Sequence, residues 1–168
     1  TELVTPGVAI NDNILEHREN NFLAAVHLNQ KHGGVAFLDI STGEFLTAEG
    51  PLDHIERLVS GFSPKEVLYE KNQKEQLKSL FGDRHYVYGL DDWVFTEDSA
   101  RDRLLKHFQT TSLKGFGIEQ MKMGTVAAGA VMHYLDMTQH SQLDHISGIS
   151  RIDEDKFVWL DRFTIRNL

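Results

Sequence analysis

The sequence contains no cysteine. That excludes disulfide staples, thiolate zinc sites and a cysteine nucleophile, agrees with a reducing compartment, and leaves stability to packing. No apolar run approaches the roughly 20 residues of a membrane span, and Thr1 to Asp12 lack the basic and apolar regions of a signal peptide. No membrane partner is expected. An excess of positive charge is missing as well. Seventeen Lys and Arg against 25 Asp and Glu give a formal charge of -8, which opposes the counterion release that drives non-specific DNA binding. Little direct DNA contact is expected. What is present is ordinary globular material: 40% hydrophobic and 25% charged residues over 168 positions argue against disorder and suffice for one full domain with a partial second element.

Along the chain, Thr5-Pro6-Gly7 reads as a turn within a tether. Apolar segments Phe22 to Leu28, Val35 to Ile40 and Phe45 to Ala48 follow, with turn chemistry at His32-Gly33-Gly34 and Ser41-Thr42-Gly43. They predict an antiparallel meander. Both parities are apolar in the first two segments, so helices should cover both sheet faces. Leu52, Ile55, Leu58, Val59 and Phe62 then form a helical stripe stopped by Ser63-Pro64. Glu66 to Glu70 is a strand, Leu77, Leu80 and Phe81 mark a helix, and His85 to Tyr88 is a fifth strand. Another helix begins near Thr96 and carries Ala100, Leu104, Leu105 and Phe108 inward. The last long helix, Gly124 to Gln139, is rich in small residues (Ala127, Ala128, Gly129, Ala130), which permit close backbone approach and predict contacts on two sides. The fold class is α/β: an RNase H-like mixed five-stranded sheet, a meander followed by βαβ units, flanked by helices.

That element order raises the possibility of a metal-dependent nuclease. Two-metal phosphoryl chemistry needs converging carboxylates, one of them normally from the middle of the first strand. Ala24, Ala25 and Val26 stand there instead. Asp39, Glu56 and Glu70 make an incomplete set, and the alternative reading of a divergent nuclease rests on them. Among nine histidines, His133, Asp136 and His140 share a helical face but lack further ligands, so an ordinary polar face is expected. Asp91-Asp92 before Trp93 reads as helix capping. Lys71, Lys74, Lys78 and Arg84 form a modest basic patch without interleaved aromatics for base stacking. Neither Gly33-Gly34 nor Gly115-Phe116-Gly117 matches a phosphate-binding motif, and no G-x-S-x-G is present.

The string itself carries a further signal. Val4-Thr5-Pro6-Gly7, Asn21-Phe22-Leu23-Ala24-Ala25, Phe37-Leu38-Asp39-Ile40-Ser41-Thr42-Gly43-Glu44-Phe45 and Ser63-Pro64-Lys65-Glu66-Val67-Leu68-Tyr69 follow one another at family-like spacing. Gly115-Phe116-Gly117, Ala128-Gly129-Ala130, Tyr134-Leu135, Thr138-Gln139, His145-Ile146, Leu160-Asp161, Thr164 and Arg166-Asn167-Leu168 continue the pattern. Over essentially its whole length the chain resembles the bacterial MutS family of DNA mismatch-recognition ATPases; Val8, where the family often has Thr, is a small departure. The resemblance implies a linker from the mismatch-binding domain over 1–20. It implies an RNase H-like connector domain over 21–146 and a truncated, short α-helical start of the core (lever) domain over 147–168. The apolar stretch from Phe157 to Leu168 agrees with a larger parent and argues against a free-standing adaptor.

The resemblance further implies a non-catalytic connector, with no catalytic, cofactor-binding or metal-binding residue in this segment. It would couple mismatch-binding and ATPase domains and offer a surface to MutL. ATP and magnesium would be used by the parent, a homodimer in the bacterial cytoplasm, through motifs outside this chain, and mismatched DNA would be met through the parent. The outward helix face Asp102, Arg103 and Lys106 is the expected partner contact. Val126, Ala130 and Tyr134 on the small-residue helix are the expected interdomain coupling residues.

Overall fold

A computed structural model describes residues 21–138 and 140–152. The expected linker 1–20, Gln139 and residues 153–168 lie outside the described residues. The meander is formed by β1 (Phe22–Leu28), β2 (His32–Asp39) and β3 (Glu44–Pro51), with β2 antiparallel to a neighbour on each side. After α1 (Leu52–Phe62), strand β4 (Glu66–Glu70) returns parallel to β1. Helix α2 (Lys74–Phe81) leads to β5 (Val87–Leu90), parallel to β4. Helices α3 (Glu97–Phe108) and α4 (Lys122–Met137) come next, followed by β6 (Ser150–Arg151). The sheet order is β5-β4-β1-β2-β3-β6. It thus has six strands rather than the expected five, because residues after Ile149 pair in parallel with Leu46 and Thr47 of β3. Residues 147–152 are extended or coil, not helical.

Apolar side chains of both parities on β1 and β2 feed two cores, one on each sheet face. Phe22, Val35, Phe37, Ile55, Leu58 and Leu77 are buried together under α1 and α2. There Phe62 stacks on Phe37 at 3.9 Å between ring centroids and meets Phe22 edge-on at 5.1 Å. Leu23, Ala36, Leu38, Leu68, Leu104 and Val131 are buried on the other face beneath α3 and α4. Each fully buried leucine contributes roughly 2 kcal/mol of transfer free energy. Helix α1 ends where the stripe predicts: Ser63 takes a left-handed φ of 48° and its N–H donates to the Val59 carbonyl at 3.0 Å. Pro64, next in the chain, cannot continue the helical hydrogen bonding. Thr96 caps α3, its hydroxyl accepting from the Ser99 N–H at 3.4 Å.

Three local expectations shift. His32-Gly33-Gly34 is not a turn but the start of β2, and Asn29 makes the turn, its side chain accepting from the N–H groups of Lys31 and His32. The glycines serve packing: a Cβ on Gly34 would lie 2.2 Å from the Met123 carbonyl carbon at the start of α4. The fifth strand runs from Val87 to Leu90 rather than from His85 to Tyr88, drawn by Leu90, which is buried. Helix α4 starts at Lys122, earlier than Gly124, and ends at Met137.

Candidate functional site

Two of the carboxylates that would serve a nuclease, Asp39 and Glu70, are held apart. Asp39 closes β2 opposite Phe22, at the start of β1. It is buried, and its Oδ1 accepts from the Ser41 N–H at 2.9 Å, the Ser41 hydroxyl at 2.6 Å and the Thr42 N–H at 3.4 Å. The same atom thereby shapes the β2–β3 turn. Glu70 closes β4 beside His27, at the other end of β1. Phe22 and His27 stand about 16 Å apart at roughly 3.3 Å per strand residue. Two metal ions need their ligands within one shell, so Asp39 and Glu70 cannot share a site. Glu56, on α1, accepts from Arg84 and from the Ser60 hydroxyl, each at 3.0 Å. The middle of β1 offers only buried Ala24, Ala25 and Val26.

The end of the sheet that holds Glu70 is electrostatically uneven. Burial, then the charge of Asp92, pushes the Glu70 carboxyl above its ordinary range. Burial lowers His27, with Glu97 opposing. The 3.8 Å approach of His27 Nδ1 to Glu70 would suggest an ion pair, but a desolvated imidazole is neutral near pH 7, so the contact is polar rather than ionic. His27 also stacks on Phe95 at 5.9 Å. Asp91 does not cap: its side chain meets Lys71 Nζ at 2.6 Å, and that hydrogen bond and charge hold its carboxyl low.

His133, Asp136 and His140 are not brought together as ligands. The His133 ring lies edge-on to Trp93 at 5.1 Å, Asp136 pairs with Arg103 at 3.5 Å, and His140 Nδ1 meets the Thr138 hydroxyl at 2.9 Å. Among the described residues, no group of three or more His, Asp or Glu could hold a metal ion. Of the basic patch, Lys71 and Arg84 are both in ion pairs. The outward face of α3 is a charged strip: Asp102 pairs with Lys106 at 3.3 Å, one helical turn apart, and Arg103 reaches across to α4. The exposed Asp102–Lys106 pair adds about 0–1 kcal/mol to stability, so it is free to exchange for a partner's charges.

Residues 21–147 match the model of MutS domain II. The chain belongs to the MutS domain II family. Its full length aligns at 58% identity with the DNA mismatch repair protein MutS of Bacteroides fragilis, covering 20% of that protein. It is 60% identical to the protein of that name from Phocaeicola vulgatus and 57% to that from Parabacteroides distasonis, covering 19% of each. The chain thus spans about a fifth of the length of these relatives.

Within this MutS domain II, the three expected coupling residues fall in different settings. Val126 and Ala130 are buried in the core between α4 and the sheet. Half-buried Tyr134 donates its hydroxyl to Glu66 at 2.9 Å, and burial with that bond pushes the phenol up to about 12. Helix α4 has the two packed sides its small residues predict: Gly124 lies against Thr47 of β3, and Gly129 against Ala100 of α3. What the sequence reading missed is aromatic. Tyr86, Tyr88 and Trp93 are exposed, and Tyr88 lies on β5, which the sheet order puts at an edge among the described residues. Among the described residues no helix is long and apolar enough to cross a membrane.

Proposed function

We propose that this MutS domain II is a non-catalytic connector, coupling a mismatch-binding domain to an ATPase domain in a longer mismatch repair protein and offering the α3 face to MutL. The observation that carries the reading is the separation of Asp39 from Glu70 at opposite ends of β1, in a sheet of nuclease-like order. Such a sheet is a rigid block without a convergent acid site, and rigid blocks transmit two-state motions. The segment brings no nucleotide or metal group of its own. The ATP and magnesium of the proposed parent, its homodimer contacts and its mismatch reading belong to residues outside this chain, in the bacterial cytoplasm.

Docking through Asp102, Arg103 and Lys106 is tested in the full-length protein. Reversing Arg103 and Lys106 to Glu should weaken MutL recruitment to mismatched DNA about tenfold, with mismatch affinity and thermal stability unchanged. Unaltered recruitment removes this face from the proposal. For the non-catalytic reading, the chain is incubated with labelled DNA and RNA in magnesium or manganese. No cleavage is expected, and cleavage abolished by Asp39→Asn overturns the connector reading in favour of a divergent nuclease.

A further inference from the structure

Every strongly exposed large hydrophobic side chain among the described residues lies in one region of the surface: Tyr86 (83% exposed), Val87 (40%), Tyr88 (44%), Trp93 (52%) and Met137 (45%). Contacts through α4 tie Tyr88, Trp93 and Met137 together, and Tyr86 and Val87 adjoin Tyr88 in the chain. Tyr88 meets Tyr134 at 5.6 Å, Trp93 meets His133 at 5.1 Å, and Met137 follows Tyr134 by less than one turn of α4. Tyr86 immediately precedes β5, its carbonyl accepting from the Val67 N–H, and Tyr88 lies on the strand itself. Scattered exposed apolar residues are normal, whereas a contiguous group marks an interaction surface.

The backbone beside them is open. β5 is an edge strand paired only with β4 among the described residues, while the opposite side of the meander is covered by β6. The Val67 N–H donates to the Tyr86 carbonyl, so the amides of Val87 and Gly89 face away from β4. An edge of this kind accepts an added strand, with backbone bonds giving affinity and side chains giving specificity.

Charge selects the occupant. Glu70, Asp91, Asp92 and Asp136 surround the aromatic residues, and the nearby cations are already committed, Lys71 to Asp91 and Arg103 to Asp136. Asp92 has no ion-pair partner among the described residues and is close enough to raise the Glu70 carboxyl. The surplus is negative and the surface aromatic, which favours Arg or Lys over tyrosine and tryptophan faces. We infer that the β5 edge of this domain is a docking site for an extended, arginine- or lysine-bearing segment of another polypeptide, added as a strand beside Val87–Gly89 with its cations over Tyr86, Tyr88 and Trp93. The site meets the charged strip on α3 at the Arg103–Asp136 pair, but it does not rest on the MutL reading.

The test titrates the full chain with an octapeptide of alternating arginine and valine, followed by NMR through the Val87 and Gly89 amides and the Trp93 indole. Those resonances should shift together, and an alternating glutamate–valine octapeptide should bind at least about tenfold more weakly. Tyr86→Ala, at a side chain too exposed to support the core, should weaken the arginine peptide several-fold; the Tyr86→Ala/Tyr88→Ala pair should weaken it about tenfold, and Asp92→Asn should weaken it too. Absence of shifts, equal binding of both peptides or indifference to Tyr86→Ala overturns the inference. So does an oligothymidylate that shifts these amides where the arginine peptide does not, which would assign the surface to single-stranded nucleic acid. A concentration-dependent dimer dispersed by Tyr86→Ala would assign it instead to a second copy.

Discussion

A Cβ added at Gly34 would lie 2.2 Å from the Met123 carbonyl carbon and 2.5 Å from the Gly124 nitrogen, both backbone atoms that cannot step aside. Gly34→Ala should therefore cost more than about 3 kcal/mol in urea unfolding, or abolish folding. Gly115→Ala, with nothing within 4 Å, should stay within about 0.5 kcal/mol. Gly129 gives a sharper case, because its new Cβ would meet the Ala100 Cβ at 2.4 Å. Gly129→Ala should be severely destabilising, and Ala100→Gly should relieve little of it, because the backbone Cα of residue 100 would still stand 2.5 Å from the new Cβ. A Gly129→Ala variant as stable as the parent would mean that α3 and α4 are not held at this contact. Composition made the small-residue helix legible; Gly34 was misread as turn chemistry because sequence does not reveal which backbone passes over a strand. Titration is a residue property too. His27, His85 and His133 all have pKa values lowered chiefly by burial. The unfolded chain then binds protons that the folded chain refuses, so stability is full above the unfolded value of about 6.5 and falls as pH drops below it. Urea midpoints between about pH 7.5 and 5.5 should decline, and His27→Phe should flatten the decline. Glu70 has the opposite sign: its raised pKa makes the ionised form costly at neutral pH, so Glu70→Gln should leave stability unchanged or higher there. A loss at neutral pH would show that the contact with His27 is ionic after all.

At the scale of elements, α4 illustrates what local sequence cannot contain. Met121 precedes it without a side-chain cap, and the exposed donors of a helix start need an acceptor. Glu49 on β3 supplies one from 75 residues away, accepting from the Gly124 N–H at 3.0 Å. Thr47 seats the same turn, its hydroxyl lying 2.9 Å from the Val35 carbonyl and 3.0 Å from that of Gly124, and donating its single proton to one of them at a time. Glu49→Ala should cost about 1 kcal/mol and increase amide exchange in the first turn of α4, with α3 unaffected. Uniform loosening of both helices would contradict a local cap. Helix α3 has its cap, Thr96, and its first-turn acids, Glu97 and Asp98, in sequence, so a start near Thr96 was readable there. The strands of the meander and α1 were readable because period is local, although the first turn falls at Asn29 rather than at His32-Gly33-Gly34. Edge status is not local: a run such as Tyr86-Val87-Tyr88 looks like any half-buried strand until the order of the sheet leaves it uncovered.

For the molecule as a whole, the segment that leaves α4 decides how firmly the domain grips the chain beyond Ile152. It crosses the β2–β3 turn, where His145 Nε2 hydrogen-bonds the Ile40 carbonyl and a Cβ on Gly43 would strike the His145 carbonyl oxygen. His107 on α3 holds the Ile146 carbonyl at 2.7 Å. Ile149 then enters the core under α3 and α4, and Ile152 enters the core under α1 and α2, with β6 between them on the sheet edge. The exit is thus fastened to both faces of the sheet. A chain covering 21–146 loses both isoleucines and the β3 pairing, and should be less stable than one covering 21–152 by about 3–5 kcal/mol in urea unfolding. If the two unfold alike, the crossing segment is merely laid on the surface, and force from a downstream domain would stretch it before reaching the sheet. If they differ as expected, displacement of the chain beyond Ile152 must move the whole block, because both cores resist the separation of β6 from β3. That is the mechanical property the connector reading requires.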